Sequence, residues 1–331
     1  HQRELTALIN NMGEGVLLLD RKNAILAGNQ SAAAFLGEET LPNFLRRDGC
    51  RKELWEAAGK ALAGRHGEEL LRVDSRTVEI LASPVTVSGY VTGAVLLIVD
   101  VTEREERENL RREFSANVSH ELKTPLTAIS GFAELMKEGL VGPDKMKEFA
   151  GDIYRESRQL VSLVEDIMKL SQLDEGAPEV SPEPVDLYTL SDEVLEGLRP
   201  AAAEQGVSLH LEGDHQQIHG VWRILREMLF NLCENAVKYN REGGRVTVCV
   251  SGDEETVCVS VQDTGIGISK GQQDRVFERF YRADKSHSRR IGGTGLGLSI
   301  VKHGAQYHNA KLSLDSEPGV GTTITLTFRK E

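Results

Sequence analysis

His120 is followed directly by Glu121, and Thr124 and Pro125 come one helical turn later. Neutral imidazole is a usable nucleophile near neutral pH, because histidine side chains ordinarily ionise at about 6.5. A carboxylate next to it can take or orient a ring proton, and a hydroxyl four residues on shares its helix face. Pro125 has no N–H to offer the carbonyl of Glu121, so the helix is expected to bend just past the histidine. At about 100° per residue the surrounding apolar stripe centres roughly 150–160° from His120, which places the imidazole toward solvent. Adjacent helical residues do not face each other, so Glu121 must reach sideways to act on it.

A second group of residues has the makings of a nucleotide site. Asn231, Asn235 and Lys238 recur at spacings of four and three, which puts two amides and an ammonium along one helix face. Amide oxygens can ligate Mg²⁺ and the ammonium can meet a phosphate, although a solvated polar face would show the same spacing. Asp263-Thr-Gly-Ile-Gly follows a strand-like run, where a carboxylate can accept from an adenine amino group while glycines let the backbone come close. Gly292-Gly-Thr-Gly-Leu-Gly-Leu is a second glycine-rich turn leading into a helix over 299–306, an arrangement suited to phosphate. GxxxxGK[ST] is absent, which excludes a P-loop ATPase, and so are the HRD and DFG elements of protein kinases.

These groups need elements to hold them. Phe114, Val118, Leu122, Pro125, Ile129, Phe132 and Met136 form one apolar stripe on a first long helix. After a break over 139–143, Met146, Phe149, Ile153, Leu160, Leu163, Ile167 and Leu170 keep a seven-residue repeat on a second. The resulting hairpin exposes too much apolar surface to stand alone, so pairing of two copies into a four-helix bundle, a homodimer, is expected. Residues 176–184 carry three prolines and read as a linker. Beyond it, helices near 187–204 and 222–238 and strands at 246–250, 257–262 and 323–328 predict a mixed sheet with helices on one face. Ahead of the hairpin, strands at 15–20 and 24–26 and a hairpin of 78–87 with 90–99 around Ser88-Gly89 make a separate α/β segment.

Bulk composition narrows the classes. At 331 residues the chain suits two or three domains. Its formal charge of −12 argues against a nucleic-acid surface, which needs clustered Lys and Arg. Cys50, Cys233, Cys249 and Cys258 form no CxxC pair, and with no His cluster beside them they read as reduced thiols rather than a zinc site. The longest apolar stretch, 91–101, is half what a membrane-spanning helix needs, so any membrane segment is expected upstream of this sequence.

Phe114-Ser-Ala-Asn-Val-Ser-His-Glu-Leu-Lys-Thr-Pro-Leu-Thr resembles the H box of two-component sensor histidine kinases. Asn231-Leu-Cys-Glu-Asn-Ala-Val-Lys-Tyr, Asp263-Thr-Gly-Ile-Gly, Phe277-Glu-Arg-Phe-Tyr-Arg and Gly293-Thr-Gly-Leu-Gly-Leu resemble, in order, the N, G1, F and G2 boxes of the same family. The resemblance implies a dimerising hairpin over 102–178 and an ATP-binding α/β sandwich of the gyrase/Hsp90/MutL type over 179–331. It implies His120 as phosphoacceptor, Glu121 as its acid/base partner and Thr124 as a water-positioning group in dephosphorylating a response regulator. It also implies Asn235, helped by Asn231, on Mg²⁺, Lys238 on phosphate, Tyr239 beside adenine and Asp263 on its amino group. Arg282 would approach the γ-phosphate, Gly265 and Gly267 would let the backbone come close to the nucleotide, and Gly293, Thr294, Gly295, Leu296 and Gly297 would belong to a lid. ATP, Mg²⁺ and the receiver domain of a response regulator are thereby the implied ligands and partner.

Residues 1–101 resemble a PAS domain through the run 9–20, Asn29-Gln-Ser-Ala-Ala and Asp100-Val-Thr. Lys285-Ser-His-Ser-Arg-Arg and the run 299–310 resemble the phosphate-regulon type of sensor kinase. Cys50-Arg51 lacks the remaining motif of a light-sensing flavin cysteine. Three departures stand out: Asn240 for a Ser or Thr, Val221 for an acidic residue, and His308-Asn309-Ala310 for His-Gly-Gly. Two other readings remain open at this level. One is a PAS scaffold that binds nucleotide without phosphotransfer. The other is a gyrase-like ATPase, which would carry a catalytic Glu where this chain has Asn231.

Overall fold

The computed structural model describes residues 12–36, 52–174, 181–283 and 293–330. The chain divides into two compact units, His1–Ser115 and Ala116–Glu331. Cys50, residues 9–11, the first part of the linker and 285–290, on which expectations above rest, lie outside the described residues.

The first unit is a five-stranded antiparallel sheet. Strands β1 (Gly15–Asp20), β2 (Ile25–Gly28), β3 (Gly67–Val73), β4 (Arg76–Val87) and β5 (Tyr90–Asp100) run in the order β2-β1-β5-β4-β3. Period-two alternation sends Leu17, Leu19, Val78, Ile80, Leu96 and Ile98 to one face. There they meet Leu54, Ala57, Ala58 and Ala61 of helix α2 (Lys52–Leu62). Asn29, fully buried, ties β1 to helix α1 (Gln30–Phe35): its Oδ1 accepts from Val16 N (2.8 Å) and Ala32 N (3.0 Å), and its Nδ2 donates to Glu14 O (2.8 Å). One side chain thus caps the helix and fixes the turn before the strand. The expected hairpin is present, with Ser88 and Gly89 both at positive φ, the backbone a tight turn between right-twisted strands requires.

Helix α3 (Thr102–Lys137) runs unbroken through Pro125, which is buried. Helix α4 (Pro143–Asp174) returns after a turn closed by Leu140 N to Leu135 O and Gly139 N to Met136 O, a Schellman pattern. Phe132 and Phe149 meet edge to face, centroids 5.2 Å apart, and set the register of the two helices. Leu163 and Leu170 are buried, whereas Leu126, Leu135, Met146, Val161, Val164 and Met168 stay exposed on this single copy.

The rest of the second unit is the expected mixed sheet, in the order β11-β12-β10-β9-β7. Strand β7 (Ser208–Gly213) is parallel to β9 (Arg245–Gly252); β10 (Thr256–Asp263), β11 (Lys311–Glu317) and β12 (Gly321–Arg329) pair antiparallel. Val246, Val248, Val250, Val257, Val259, Val261, Leu326 and Phe328 face a core shared with α5 (Leu187–Glu204), α6 (Trp222–Lys238) and α8 (Gly297–Tyr307). A short helix α7 (Lys270–Gln273) precedes the F-box segment. The linker is shorter than its prolines suggested: Glu183 and Pro184 belong to β6 (Glu183–Asp186), which pairs with β8 (Gln217–Gly220). A two-stranded ribbon has edges where a missing N–H does no harm, which is why Pro184 is tolerated there. Cys233, Cys249 and Cys258 are free thiols; Cys258 lies opposite Ser251 and Cys249 opposite Ser260, so the β9–β10 register sets these two thiols apart. No helix among the described residues is long and apolar enough to cross a membrane.

Candidate functional site

His120 sits where its periodicity placed it, on the exposed side of α3, with 79% of its side chain accessible. Glu121 does reach sideways: its Oε1 is 3.8 Å from His120 Nδ1, close enough to attract a proton there but too long for a hydrogen bond. Thr124 Oγ1 donates to the His120 carbonyl (3.2 Å), so its hydroxyl is held one turn along on the same side. The three proposed actors on this helix are therefore together and open to a partner.

The second constellation gathers around α6. This helix presents Leu225, Met228, Leu229 and Leu232 to the core, which leaves Asn231, Asn235 and Lys238 along its flank. Asn231 is buried at 7% exposure, and its Nδ2 donates to Glu227 O (2.8 Å) and to Glu227 Oε1 (3.2 Å). The Asn231 oxygen faces the start of α8, where a Cβ on Gly297 would come within 2.6 Å of it. A larger residue there would have to push the Asn231 side chain aside, so the second glycine box and the first amide share one wall. Lys238 is half-buried, and burial lowers its pKa from the usual ammonium value, with Glu234 opposing and the Arg282 charge adding to the fall. Its Nζ lies 5.7 Å from the centre of the Tyr239 ring.

Asp263 ends β10. Its Oδ1 accepts from Gly265 N (2.8 Å) and Thr322 N (3.2 Å), which orients the carboxylate; burial raises its pKa and these bonds oppose that. Gly265 passes so close to the end of α6 that a Cβ would stand 2.3 Å from Tyr239 O. Ile266 N donates to that same carbonyl (3.1 Å), and Gly267 follows at positive φ. Gly293, Thr294, Gly295 and Leu296, the residues expected to form a lid, lead directly into α8, and Gly295 O accepts from Phe280 N (2.9 Å), joining them to the F-box segment. Arg282 carries a buried Nη2 with no hydrogen-bond partner among the described residues.

That orphaned guanidinium nitrogen is the test of fit for a nucleotide. A buried cationic donor without an acceptor, acting on the Lys238 ammonium, is a costly arrangement that a polyphosphate relieves. The amide oxygens of Asn231 and Asn235 are neutral hard ligands, suited to a Mg²⁺ that phosphate oxygens and water also hold. The residues present thus fit both groups.

Sequence reasoning missed the partners of these residues. Thr294 Oγ1 donates to Asp166 Oδ2 on α4 (2.7 Å), and burial raises the Asp166 pKa. Lys169 Nζ meets Glu227 Oε1 (2.7 Å), and Asp174 accepts from Arg279 (2.8 Å) beside His303. A band of α4 therefore grips the lid, α6 and the F-box segment. Glu227, four residues before Asn231, was visible in spacing; the α4 side chains were not, because nothing local in sequence links them to the site. Two departures also acquire partners. Val221 has no side chain to cap α6, and its N–H donates instead to His308 Nε2 (3.1 Å). Asn240 bonds Ala236 O, Arg245 O and Arg241 N, closing the loop after α6.

Two amides, an ammonium, a strand-end carboxylate and two glycine turns on an α/β sandwich, joined to a hairpin that displays a histidine, define a class of proteins by architecture. Two family models match this chain in the corresponding places: a His Kinase A (phospho-acceptor) domain over residues 110–176, and a histidine kinase-, DNA gyrase B- and HSP90-like ATPase over 220–331. The chain is 33% identical over 352 residues to the sensor histidine kinase WalK of Bacillus subtilis (strain 168), across 99% of its own length and 55% of that protein's. It is 30% identical to a sensor protein kinase WalK of Staphylococcus aureus, across 99% and 81% of the two chains. The solved histidine kinase ThkA, in complex with the response regulator protein TrrA, shares the fold at TM-score 0.54 and 21% identity over 96% of both chains. Acinetobacter baumannii AdeS does so at 0.54 and 20%, over 64% of this chain and 98% of that one. The chain belongs to the sensor histidine kinase family. It spans about half the length of the first of these curated relatives.

Proposed function

We propose that this chain binds Mg·ATP and phosphorylates its own His120, then passes the phosphoryl group to an aspartate of a response regulator receiver domain. The observation that carries the proposal is Arg282 Nη2, buried without a hydrogen-bond partner among the described residues and close enough for its charge to act on Lys238, in a chain that also displays an exposed His120. Asp263 and Tyr239 hold the adenine, Asn231 and Asn235 the metal, and Lys238 and Arg282 the phosphates, under the lid of 293–297. Mg²⁺ supplies charge neutralisation on the phosphoryl oxygens.

With Glu121 nearest Nδ1, the ring proton resides on Nδ1 and the Nε2 lone pair is free. Nε2 attacks the γ-phosphorus in line, the bond to the β-phosphate oxygen breaks, and ADP leaves with that electron pair. The Nδ1 proton shifts toward Glu121. Lys238 and Arg282 stabilise charge as it moves, so catalysis is mostly positioning and electrostatics. Thr124, held beside the His120 carbonyl, is the proposed water-orienting group for phosphatase activity toward the same regulator.

The supporting architecture is part of the proposal. Residues 1–101 are a PAS sensor domain, 102–178 a signalling helix with the dimerisation hairpin, and 179–331 the catalytic domain. Exposed Leu126, Leu135, Val161, Val164 and Met168 support a homodimer, since two hairpins would cover them in a four-helix bundle. The chain is read as the cytoplasmic portion of a bacterial plasma-membrane sensor. The phosphate-regulon resemblance of 299–310 is one reading of its signal class. Incubation with γ-labelled ATP should yield acid-labile, base-stable label that His120→Gln abolishes; label that persists in His120→Gln refutes the assignment.

A further inference from the structure

Glu227 has no role in the reaction just described, yet its carboxylate is half-enclosed between α4 and α6 and engaged from both sides. From its own helix, Asn231 Nδ2 donates to Glu227 Oε1 (3.2 Å) as well as to the Glu227 carbonyl (2.8 Å). From α4, Lys169 Nζ donates to the same Oε1 (2.7 Å). A carboxylate and a carbonyl are acceptors only, so this pair admits only the amide NH₂ of Asn231. Were the amide turned over, its oxygen would confront two acceptors in a site where Asn231 is buried. The consequence is that Asn231 Oδ1 is committed to the opposite side, toward Gly297 and the lid.

We propose that Glu227 is a positioning residue for the metal: by holding the Asn231 amide nitrogen, it keeps the amide oxygen aimed at the Mg²⁺ of Mg·ATP. The inference rests on the nucleotide reading above. It assigns two separable properties to one side chain. The acceptor oxygen orients Asn231, while the negative charge serves Lys169. Glutamine keeps the first and gives up the second; leucine gives up both at similar volume.

The test is the affinity of a non-hydrolysable ATP analogue for the full chain, measured by calorimetry with Mg²⁺ and with EDTA, in wild type, Glu227→Leu, Glu227→Gln and Lys169→Met. Partners that orient a metal ligand typically govern about tenfold or more in metal affinity. Glu227→Leu is therefore expected to reduce the Mg²⁺-dependent gain in affinity about tenfold while leaving the EDTA affinity unchanged. Glu227→Gln and Lys169→Met should both keep the wild-type gain. The inference is overturned if Glu227→Leu keeps the full gain, if it weakens binding equally with and without Mg²⁺, or if Glu227→Gln or Lys169→Met loses as much gain as Glu227→Leu. A wild-type chain that binds the analogue with no Mg²⁺ dependence overturns the nucleotide reading itself, a separate result from loss of the Glu227 effect alone.

Discussion

Replacing His308 with alanine should weaken the catalytic unit in a pH-dependent way. Nδ1 of His308 lies 2.9 Å from Gly304 O, which can only accept, so the ring hydrogen is on Nδ1. Nε2 is then an acceptor, and it takes the Val221 N–H at the entry to α6. The ring also packs edge-on against Phe328 (6.3 Å) and Tyr307 (5.1 Å). Losing the hydrogen bond costs about 1 kcal/mol, and losing these ring contacts about 1–2 kcal/mol more, so His308→Ala should cost about 2–3 kcal/mol at pH 8. Burial lowers the His308 pKa below the ordinary histidine value. Between the two values the unfolded chain binds more protons than the folded one. The stability contributed by neutral His308 is therefore fully present above about pH 6.5 and is lost as pH falls through the folded value. Urea unfolding followed by Trp222 fluorescence in a Trp55→Phe background reads the unit that contains α6. The gap between parent and His308→Ala should be widest at pH 8 and narrow steadily below about pH 6.5. A gap that stays constant or widens on acidification would show that His308 does not work as a neutral acceptor.

Two further outcomes test the site. Gly265→Ala places a methyl 2.3 Å from the Tyr239 carbonyl, where only backbone movement can relieve it, and this displaces Asp263. Affinity for a fluorescent ATP analogue should fall at least about tenfold, roughly 1.4 kcal/mol; wild-type affinity would mean that Asp263 and Gly265 do not contact the nucleotide. Thr294→Val removes the hydroxyl that holds the lid to Asp166. Because that pair is partly exposed, about 1 kcal/mol is at stake, and hydrogen exchange at the amides of 293–297 should accelerate about fivefold. Unchanged exchange would show that Asp166 does not restrain the lid.

Much of the site was legible because its chemistry is arranged along single helices and turns. The spacing of Asn231, Asn235 and Lys238 already put them on one side of a helix, and α6 carries all three, with Asn231 buried at the join to α8. The exposure of His120 followed from the position of the apolar stripe, and Glu121 needed no tertiary contact to reach it. Strands β9, β10 and β12 were recognisable because each buries alternate valines, leucines or isoleucines against the helices. Strands β7 and β11 were not, since their alternation is only half-buried and punctuated by polar residues. Pairing with a neighbour, rather than an internal pattern, makes them strands.

Sequence by itself determined the chemical inventory and its local order: a histidine with a flanking carboxylate, two amides and an ammonium on one helix, and two glycine turns. These depend on backbone periodicity, which acts between residues a few positions apart. Tertiary structure alone decided what those groups lean on. Asp166, Lys169 and Asp174 of α4 meet Thr294, Glu227 and Arg279 across separations of 58 to 128 residues. His308 reaches Val221 across 87. Such contacts leave no periodic trace in the chain, because hydrogen bonds and ion pairs depend on distance in space, and only the packing of helices on the sheet brings these groups within it.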